Sequence, residues 1–433
     1  MISILFKKYL VSLNLLLLLI FSSCANVEVP EYSNQQELLE ERDSSGRRRA
    51  EYLEDFDYLL SVLEDNFPFF DVIYRRNAID IRELHASTRN VLENNNHIYN
   101  DEIFFHIMNA LFFSPIGGLG HLSMLSRSFY HMHIVAFEYF IDNLEDLGRP
   151  FEAHLQVLND PRSREFYGDL HNSENLPTFI NYNNVEVDIL QEGKIAYIRI
   201  DSFNHLNLEH DREIIFNFYE EIANYEHLII DITRNSGGSS QYFWELVLSP
   251  NIVEPLQFQA YFLMKSGENN LKLTAPMVYA LYAESARIFE PINDMVINDW
   301  PYINKYDLES LDLFFRLENT IYPTGYKKAF NGKIWLLASG ANFSASEYVA
   351  ALVKQTGFAT LVGETTGGNG IGVQPAFFVL PNTGIIVRYA SIYGIDLYGR
   401  NNQEFGTDPH VFNHPAKDAV QTVLALIEEG YYR

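Results

Sequence analysis

The second half of the chain alternates strand-like and helix-like segments, and this alternation limits the possible folds more than any other feature. From Gly193 onward, short apolar runs such as Lys194–Ile200, His227–Asp231 and Lys333–Ala338 are each followed by polar turns and segments with helical spacing. Strands that alternate with helices in this way are typical of α/β domains. The sequence therefore predicts an α/β domain over residues 191–433.

The region before this domain is predicted to be a helical N-terminal unit over residues 50–121. Apolar residues recur at spacings of three and four from Tyr52 to Leu63, which indicates a helix that ends near Pro68. Further helices are predicted over Ile79–Asn94 and Asp101–Phe113.

Two stretches have weaker patterns. We interpret residues 122–190 as a mixed connecting region, with strands expected at His133–Phe140 and Val185–Leu190. Residues 251–332 interrupt the strand–helix alternation and look like an insertion, for which no elements are assigned.

The first residues are typical of a targeting signal. Lys7 and Lys8 precede an apolar run from Tyr9 to Phe21 and the small pair Ser22-Ser23. A basic start, a short apolar run and a small-residue stop predict a secretory signal peptide at residues 1–23. A single-span anchor is the alternative, although such a span needs about 20 apolar residues.

Cys24 is the only cysteine of the chain and follows that pair of small residues. A small-small-Cys ending resembles the bacterial lipoprotein signal, in which the cysteine carries the lipid. We therefore expect residues 24–49 to be a lipidated tether that holds the protein at a membrane of the bacterial cell envelope. The alternative is an ordinary signal peptide that happens to end near this cysteine.

The charge balance excludes one class of partner. The chain has 31 Lys and Arg against 57 Asp and Glu, a formal charge of −26. Because nucleic-acid binding depends on a local excess of basic side chains, we expect no nucleic-acid partner. A single cysteine also excludes a cysteine-based structural zinc site, and we expect no metal or cofactor.

A Gly-rich turn directly after the strand His227–Asp231 is the first candidate for chemistry. Gly237 and Gly238 can present backbone N–H groups to an anion, because no Cβ atom shields them. The alternative is a structural strand-to-helix turn in which Ser239 caps the following helix.

Ser344 is the second candidate, because it lies between a predicted strand and a predicted helix. The free N–H groups at a helix start favour an alkoxide at that position. However, Ser344-x-x-Glu347 also has the pattern of a capping box, which needs only helix stability to explain it.

His121 is the third candidate and follows a Gly-rich turn at the end of the helical unit. We expect this placement to leave its ring exposed. A single histidine among 13 is also compatible with a purely structural role.

Together, these elements resemble the clan of serine peptidases that contains the tail-specific (C-terminal processing) proteases and the tricorn core protease. The matching elements, in order, are Gly120-His121, Tyr197–Phe203, Asp231–Gly238, Ser344–Glu347, Val362–Gly368 and Glu404–Pro409. The resemblance implies a ClpP/crotonase-like catalytic fold. No carboxylate-binding loop of a PDZ module is recognisable between the helical unit and this fold.

The resemblance also implies roles for individual residues. Ser344 is the expected nucleophile, and the N–H groups of Gly237, Gly238 and Ala345 are the expected oxyanion donors. Tail-specific members use a lysine about twenty-five residues after the serine, but Asn369 stands there. We therefore predict the tricorn-like arrangement, with His121 as general base and Glu404 as its orienting acid.

The sequence thus predicts a serine peptidase with a peptide or protein substrate. The main alternative is a non-catalytic envelope lipoprotein that keeps the fold and binds peptides or another ligand. A third class, a carbohydrate-capturing surface lipoprotein, rests on the signal peptide and the many tyrosines alone. Nothing in the sequence indicates the oligomeric state.

Overall fold

The computed structural model describes residues 35–94, 100–144, 148–168, 181–282, 289–293 and 297–430, with side chains from Arg49 onward. The chain divides into two compact units, Met1–Arg48 and Arg49–Arg433. The predicted signal peptide and Cys24 lie outside the described residues. Among the helices that are described, none combines the length and the apolar character that crossing a membrane requires.

The strands of the described residues form three sheets. In chain order they are β1 (Ser123–Met124), β2 (Val185–Gln191), β3 (Ile195–Ile200), β4 (His227–Asp231), β5 (Leu256–Met264), β6 (Glu290–Pro291), β7 (Leu313–Ile321), β8 (Lys333–Ala338), β9 (Thr360–Gly363), β10 (Ala376–Val379), β11 (Ile386–Tyr389), β12 (Tyr393–Ile395) and β13 (Val411–Phe412).

The largest sheet has the order β13-β9-β8-β4-β3-β2, and all its neighbouring strands are parallel except β2, which is antiparallel to β3. Its central strands are buried on both faces, because helices cover them on either side. The predicted strands at 194–200, 227–231 and 333–338 are confirmed, and so is the α/β class. The carboxyl ends of β4 and β8 are neighbours, which brings the loops after them together.

The two smaller sheets are antiparallel. The stretch 251–332, which the sequence left unassigned, supplies β5, β6 and β7, and these form a sheet of order β12-β5-β7-β6. β10 and β11 form a hairpin across Pro381, and β1 pairs with the other side of β11.

The main α-helices of the described residues are Gln35–Asn66, Phe70–Asn77, Ile81–Asn94, Asp101–Met108, Arg127–Asn143, Arg149–Leu158, Pro161–Tyr167, Leu208–Glu221, Glu268–Tyr282, Ala345–Thr356 and Ala419–Glu428. Shorter turns include Ser114–Ile116, Ser240–Phe243, Lys305–Leu308 and Asn402–Phe405. The backbone from Gln35 onward is therefore helical within the segment expected to be a tether.

One element prediction is wrong. Residues 133–140 were expected to be a strand but belong to the helix Arg127–Asn143. The buried residues of this helix are Tyr130, His133 and Phe137, which are spaced by three and four as on one helical face. The run of β-branched and aromatic residues suggested a strand, and packing against the sheet of β10 and β11 overrides that preference.

Candidate active site

Ser344 has a backbone conformation that L-amino acids rarely adopt. It precedes the helix Ala345–Thr356 with φ 58° and ψ −128°, and its side chain makes no capping hydrogen bond. The capping-box interpretation of Ser344-x-x-Glu347 is therefore wrong. Ser346 carries the local polar contacts instead, because its hydroxyl accepts the Phe343 N–H at 3.0 Å and donates to the Asn235 carbonyl at 2.7 Å. The Ser344 hydroxyl therefore does not stabilise the start of this helix.

The Gly-rich turn after β4 packs directly on the loop that carries Ser344. A Cβ atom on Gly237 would lie 2.8 Å from the Phe343 carbonyl oxygen and 2.9 Å from the Ser344 Cβ. The φ angle of Gly237 is +115°, which L-amino acids rarely adopt. Only glycine fits there. The buried Asn342 side chain fixes the same contact by donating to the carbonyls of Ile232 and Asn235. The expected cap by Ser239 is absent, since its side chain makes no capping bond.

The three expected oxyanion donors differ in their hydrogen bonding. The Gly237 N–H donates to Asn235 Oδ1 at 2.8 Å. Gly238 forms a parallel bridge with Phe203 that uses the Gly237 carbonyl and the Ser239 N–H, so the Gly238 N–H is not part of it. Ala345 is the first helical residue, whose N–H has no partner within its helix. Gly238 and Ala345 are therefore the available donors beside Ser344.

His121 lies in the same site but is buried. Its exposed fraction is 8%, so the expectation of an exposed ring is wrong. The imidazole packs against Phe343, the residue before Ser344, with 4.7 Å between ring centroids. No hydrogen bond joins the ring to the Ser344 hydroxyl, although both residues are described. Burial, with a smaller effect of the Arg388 cation, lowers the pKa of His121 well below its usual value, so the ring is neutral.

Asn369 is the hydrogen-bond partner of His121. Its Nδ2 contacts His121 Nδ1 across 248 residues of sequence, and both residues have a positive φ. The carbonyl of the preceding residue, Gly368, accepts the Ser344 N–H at 3.3 Å. From the sequence it was clear only that position 369 is not a lysine. The signal for the role of Asn369 was a polar amide within the Gly-rich segment 367–370.

Glu404 does not contact His121. Its carboxylate forms a two-bond ion pair with Arg75, whose Nε and Nη2 lie 2.8 and 2.7 Å from Oε1 and Oε2. Arg75 also binds the buried Asp307 through two bonds of 2.9 and 2.7 Å. The structure thus gives Asn369, not Glu404, as the group on His121 Nδ1. The motif led to the right segment, but its charged residue turns toward the helix Phe70–Asn77.

The residues immediately before Glu404 connect the segments of the site. Gln403 Oε1 accepts the N–H of Gly120, which precedes His121, at 3.0 Å. Asn402 Oδ1 accepts the N–H groups of Gly370 and Ile371 at 2.7 and 3.2 Å, directly after Asn369. Two consecutive buried side chains therefore fix the loops that carry His121 and its partner.

Glu347 holds Asn402 from the other side. Its Oε1 accepts from Asn402 Nδ2 at 2.5 Å and from Thr407 Oγ1 at 2.6 Å, and Oε2 has no partner among the described residues. The side chain is fully buried, which raises the pKa of Glu347 to about 7 despite these bonds. No group of His, Cys, Asp and Glu able to hold a metal ion occurs among the residues that the structure describes.

Comparison with known proteins decides the family. Residues 194–412, half of the chain, match Peptidase family S41. The chain belongs to peptidase family S41. As a member of this family, the protein is a serine peptidase, a hydrolase whose substrate is a peptide or a protein. The predicted membership of the tail-specific peptidase clan and the predicted α/β fold class are confirmed.

Several solved structures are similar to the chain at low sequence identity. A candidate peptidase from Parabacteroides merdae ATCC 43184 superposes with a TM-score of 0.50 at 16% identity, covering 87% of this chain and 95% of the other. Mature CPAF complexed with lactacystin gives 0.49 at 13%, covering 84% and 94%. The photosystem II D1 C-terminal processing protease gives 0.34 at 14%, covering 56% and 52%. No curated protein sequence matches the chain significantly.

Replacement of Gln403 tests how the His121 loop of this S41 peptidase is positioned. Gln403→Leu leaves the buried Gly120 N–H without an acceptor, and we expect labelling of Ser344 by a fluorophosphonate to slow by about tenfold or more. Gln403→Glu keeps the accepting oxygen, and Gln403 Nε2 has no partner among the described residues. We therefore expect the glutamate variant to keep most of the rate.

Tyr219→Phe is the matched control for stability, because it removes a buried hydrogen bond to the Leu246 carbonyl outside the site. It should lower the unfolding temperature without slowing the labelling. Equal slowing in the leucine and glutamate variants of Gln403 would contradict the positioning role.

Glu347 should give a pH dependence of stability. The pKa of Glu347 is about 7 in the folded protein and 4.5 ordinarily, so the folded state binds this proton more tightly. The stabilisation that this gives is fully present below about pH 4.5 and is lost as the pH rises through 7. The loss is on the order of 3 kcal/mol. Urea unfolding at pH 5 and pH 8 should show a larger decrease for the wild type than for Glu347→Gln, and identical decreases would contradict the assignment.

Proposed function

We propose that this S41 peptidase cleaves peptide bonds with Ser344 as nucleophile and His121 as general base, rather than with a serine–lysine dyad. The observation that carries the proposal is the contact between His121 Nδ1 and Asn369, the residue at the position of the dyad lysine. An imidazole that donates through Nδ1 has Nε2 available to take the proton of a hydroxyl.

The tautomer of His121 follows from the orientation of the Asn369 amide. A carboxamide presents either NH2 donors or an oxygen acceptor to the ring. In the structure Nδ2 contacts Nδ1, and in this orientation the neutral ring carries its proton on Nε2. The proposal requires the amide turned over, with Oδ1 toward the ring, so that Nδ1 carries the proton and Nε2 is the basic nitrogen that serine needs. An amide can therefore set the tautomer as a carboxylate does, but without stabilising the imidazolium by a full charge.

The remaining groups complete an acyl-transfer site. His121 takes the proton of Ser344 Oγ as the hydroxyl attacks the scissile carbonyl, and Nε2 later returns the proton to the leaving amine. The Gly238 and Ala345 N–H groups face the developing oxyanion, and each such donor contributes roughly 3 kcal/mol in comparable sites. Because the pKa of His121 is lowered, the base is neutral at neutral pH without any preceding deprotonation.

A non-catalytic, ligand-binding protein with the same fold is the second candidate. It is favoured by the missing hydrogen bond between the Ser344 hydroxyl and His121. Catalytic hydrogen bonds are often long in unliganded sites and tighten when substrate binds, so a test of the chemistry is needed to separate the two candidates.

Fluorophosphonate labelling tests the catalytic proposal. We expect the wild type to be labelled at Ser344, Ser344→Ala to be silent, and His121→Ala to be slowed by at least about a hundredfold. Because the pKa of His121 is lowered, the rate should stay on its plateau below pH 6. Asn369→Asp should move the acid limb to higher pH, since a carboxylate stabilises the imidazolium.

Peptide cleavage by the same variants separates the candidates. Labelling that is indifferent to both Ser344→Ala and His121→Ala would discard the assignment. An unlabelled wild type that also cleaves no peptide would favour the ligand-binding alternative.

We also propose that the mature protein is a lipid-anchored lipoprotein of the bacterial cell envelope, with Cys24 as the lipidated residue and residues 1–23 removed. The sequence pattern before Cys24 supports this setting. Removal of Lys7 and Lys8 leaves 29 basic against 57 acidic residues, a formal charge of −28. Lipid attachment would hold this mature chain at a membrane whose anionic lipids repel it.

Mass spectrometry of the mature N-terminus after expression of the full chain in a bacterial host tests the anchor. We expect cleavage before Cys24 and an acylated cysteine, and we expect Cys24→Ser to abolish the lipid and release the protein from membranes. An unmodified Cys24, or cleavage elsewhere, would rule the anchor out.

A further inference from the structure

The backbone of Phe203 holds the expected oxyanion donor Gly238 from one side. The Phe203 N–H donates to the Gly237 carbonyl at 2.9 Å, and the Ser239 N–H donates to the Phe203 carbonyl at 2.8 Å. A Cβ atom on Gly238 would lie 2.2 Å from the Phe203 carbonyl oxygen, so the two backbones are in direct contact. Gly238 is exposed, and its own N–H takes no part in this bridge. The direction of that N–H therefore depends on where Phe203 lies.

Tyr242 connects the segment after Gly238 to a buried carboxylate. It belongs to the short helical turn Ser240–Phe243, and its ring stacks on Phe203 with 5.6 Å between the ring centroids. Its hydroxyl donates to Asp211 Oδ2 at 2.6 Å. The side chains of all three residues are buried. This hydrogen bond therefore fixes the turn that directly follows the glycines.

Asn184 connects the same carboxylate to the other chain of the bridge. Its Nδ2 donates to Asp211 Oδ2 at 2.7 Å and to the Ser202 carbonyl at 3.0 Å. Its Oδ1 accepts the Ser202 hydroxyl at 2.7 Å, and Ser202 directly precedes Phe203. One oxygen atom of Asp211 therefore holds both segments whose backbones meet at Gly238.

The position of an oxyanion donor matters more than its chemical identity. A donor stabilises the developing charge only when it already points at that charge before the reaction. A displacement of about 1 Å can cost roughly a hundredfold in rate. An exposed glycine turn has no side chains of its own to fix it, so its N–H direction must come from neighbouring contacts.

We propose that Asp211 is a positioning residue that orients the Gly238 N–H toward the oxyanion through Tyr242 and Asn184. This inference rests on the proposed function, because it uses Gly238 as an oxyanion donor. Asp211 lies on the helix Leu208–Glu221 and is fully buried. It therefore acts through its two hydrogen-bond partners rather than by contact with the substrate.

Two substrates that differ only at the carbonyl oxygen test this role. 4-Nitrophenyl acetate and its thionoester, in which sulfur replaces that oxygen, are attacked by the same hydroxyl. Sulfur is a weak hydrogen-bond acceptor, so an oxyanion donor accelerates the oxygen ester more than the thionoester. We expect wild-type hydrolysis, measured against Ser344→Ala, to favour the oxygen ester more than the uncatalysed reaction does.

Tyr242→Phe removes the hydrogen bond to Asp211 but keeps the ring on Phe203. We expect it to lower kcat/KM on the oxygen ester by roughly tenfold and on the thionoester by less than about twofold. Asp211→Leu removes both bonds and should cost roughly 10- to 100-fold on the oxygen ester. Asp211→Asn keeps an oxygen that can accept from both partners, and it should retain most of the wild-type rate.

Tyr219→Phe is the matched control, because Tyr219 lies on the same helix as Asp211 and loses a buried hydrogen bond to the Leu246 carbonyl. It should lower the unfolding temperature without changing the ratio of the two rates. A variant that is only less stable loses both rates equally, since its folded fraction falls. Three results would overturn the inference: no loss in Tyr242→Phe, an equal loss on both esters, or an Asp211→Asn variant as slow as Asp211→Leu.

Failure of the proposed function is a separate outcome. If the wild type hydrolyses neither ester faster than Ser344→Ala, fluorophosphonate labelling decides whether the proposed function has failed. Amide hydrogen exchange then tests the positioning alone. The Ser239 N–H, which donates to Phe203, should exchange at least about tenfold faster in Tyr242→Phe and at the wild-type rate in Tyr219→Phe. Unchanged exchange in Tyr242→Phe would overturn the positioning role.

Discussion

Three backbone N–H groups donate to the side chains of Asn402 and Gln403, and these hydrogen bonds determine where His121 lies. The Gly120 N–H and the Gly370 and Ile371 N–H groups belong to loops that are far apart in sequence, and each loop contains residues at positive φ. Such backbone conformations persist only when the surroundings over-determine them. Because the accepting side chains of Asn402 and Gln403 lie on one buried turn, this turn couples the positions of the His121 and Asn369 loops. The shape of the active site therefore depends on a segment that need not touch the substrate.

The charges around this site are neutralised one by one. Glu404 is paired with Arg75, and burial keeps Glu347 largely protonated up to about pH 7. Amide side chains, rather than carboxylates, supply the contacts to His121 and its loops. No carboxylate of the described residues pairs with the buried imidazole, so burial favours its neutral form.

Local patterns were sufficient for the strands of the large sheet, because each of those strands is a continuous apolar run buried on both faces. They also located Ser344, since a glycine turn and a strand–helix junction are visible within a few residues. Asn369 and Gln403 could not be assigned in this way: their contacts with His121 and Gly120 span 248 and 283 residues. The choice of Glu404 over its neighbour failed for a related reason, because Arg75 was not recognisable as the competing partner of that carboxylate.

The segment Ser344–Glu347 fits both a helix capping box and a reactive serine, and the sequence alone cannot distinguish these two interpretations. A serine followed three residues later by glutamate stabilises a helix start when the serine is extended and both side chains face the free N–H groups. Here Gly237 packs against Ser344 Cβ, and Ser344 takes a positive φ that turns its side chain away from the helix end. The glutamate is drawn into the interior by Asn402 and Thr407. Long-range packing thus converts a stabilising pattern into a site where the hydroxyl is left for chemistry.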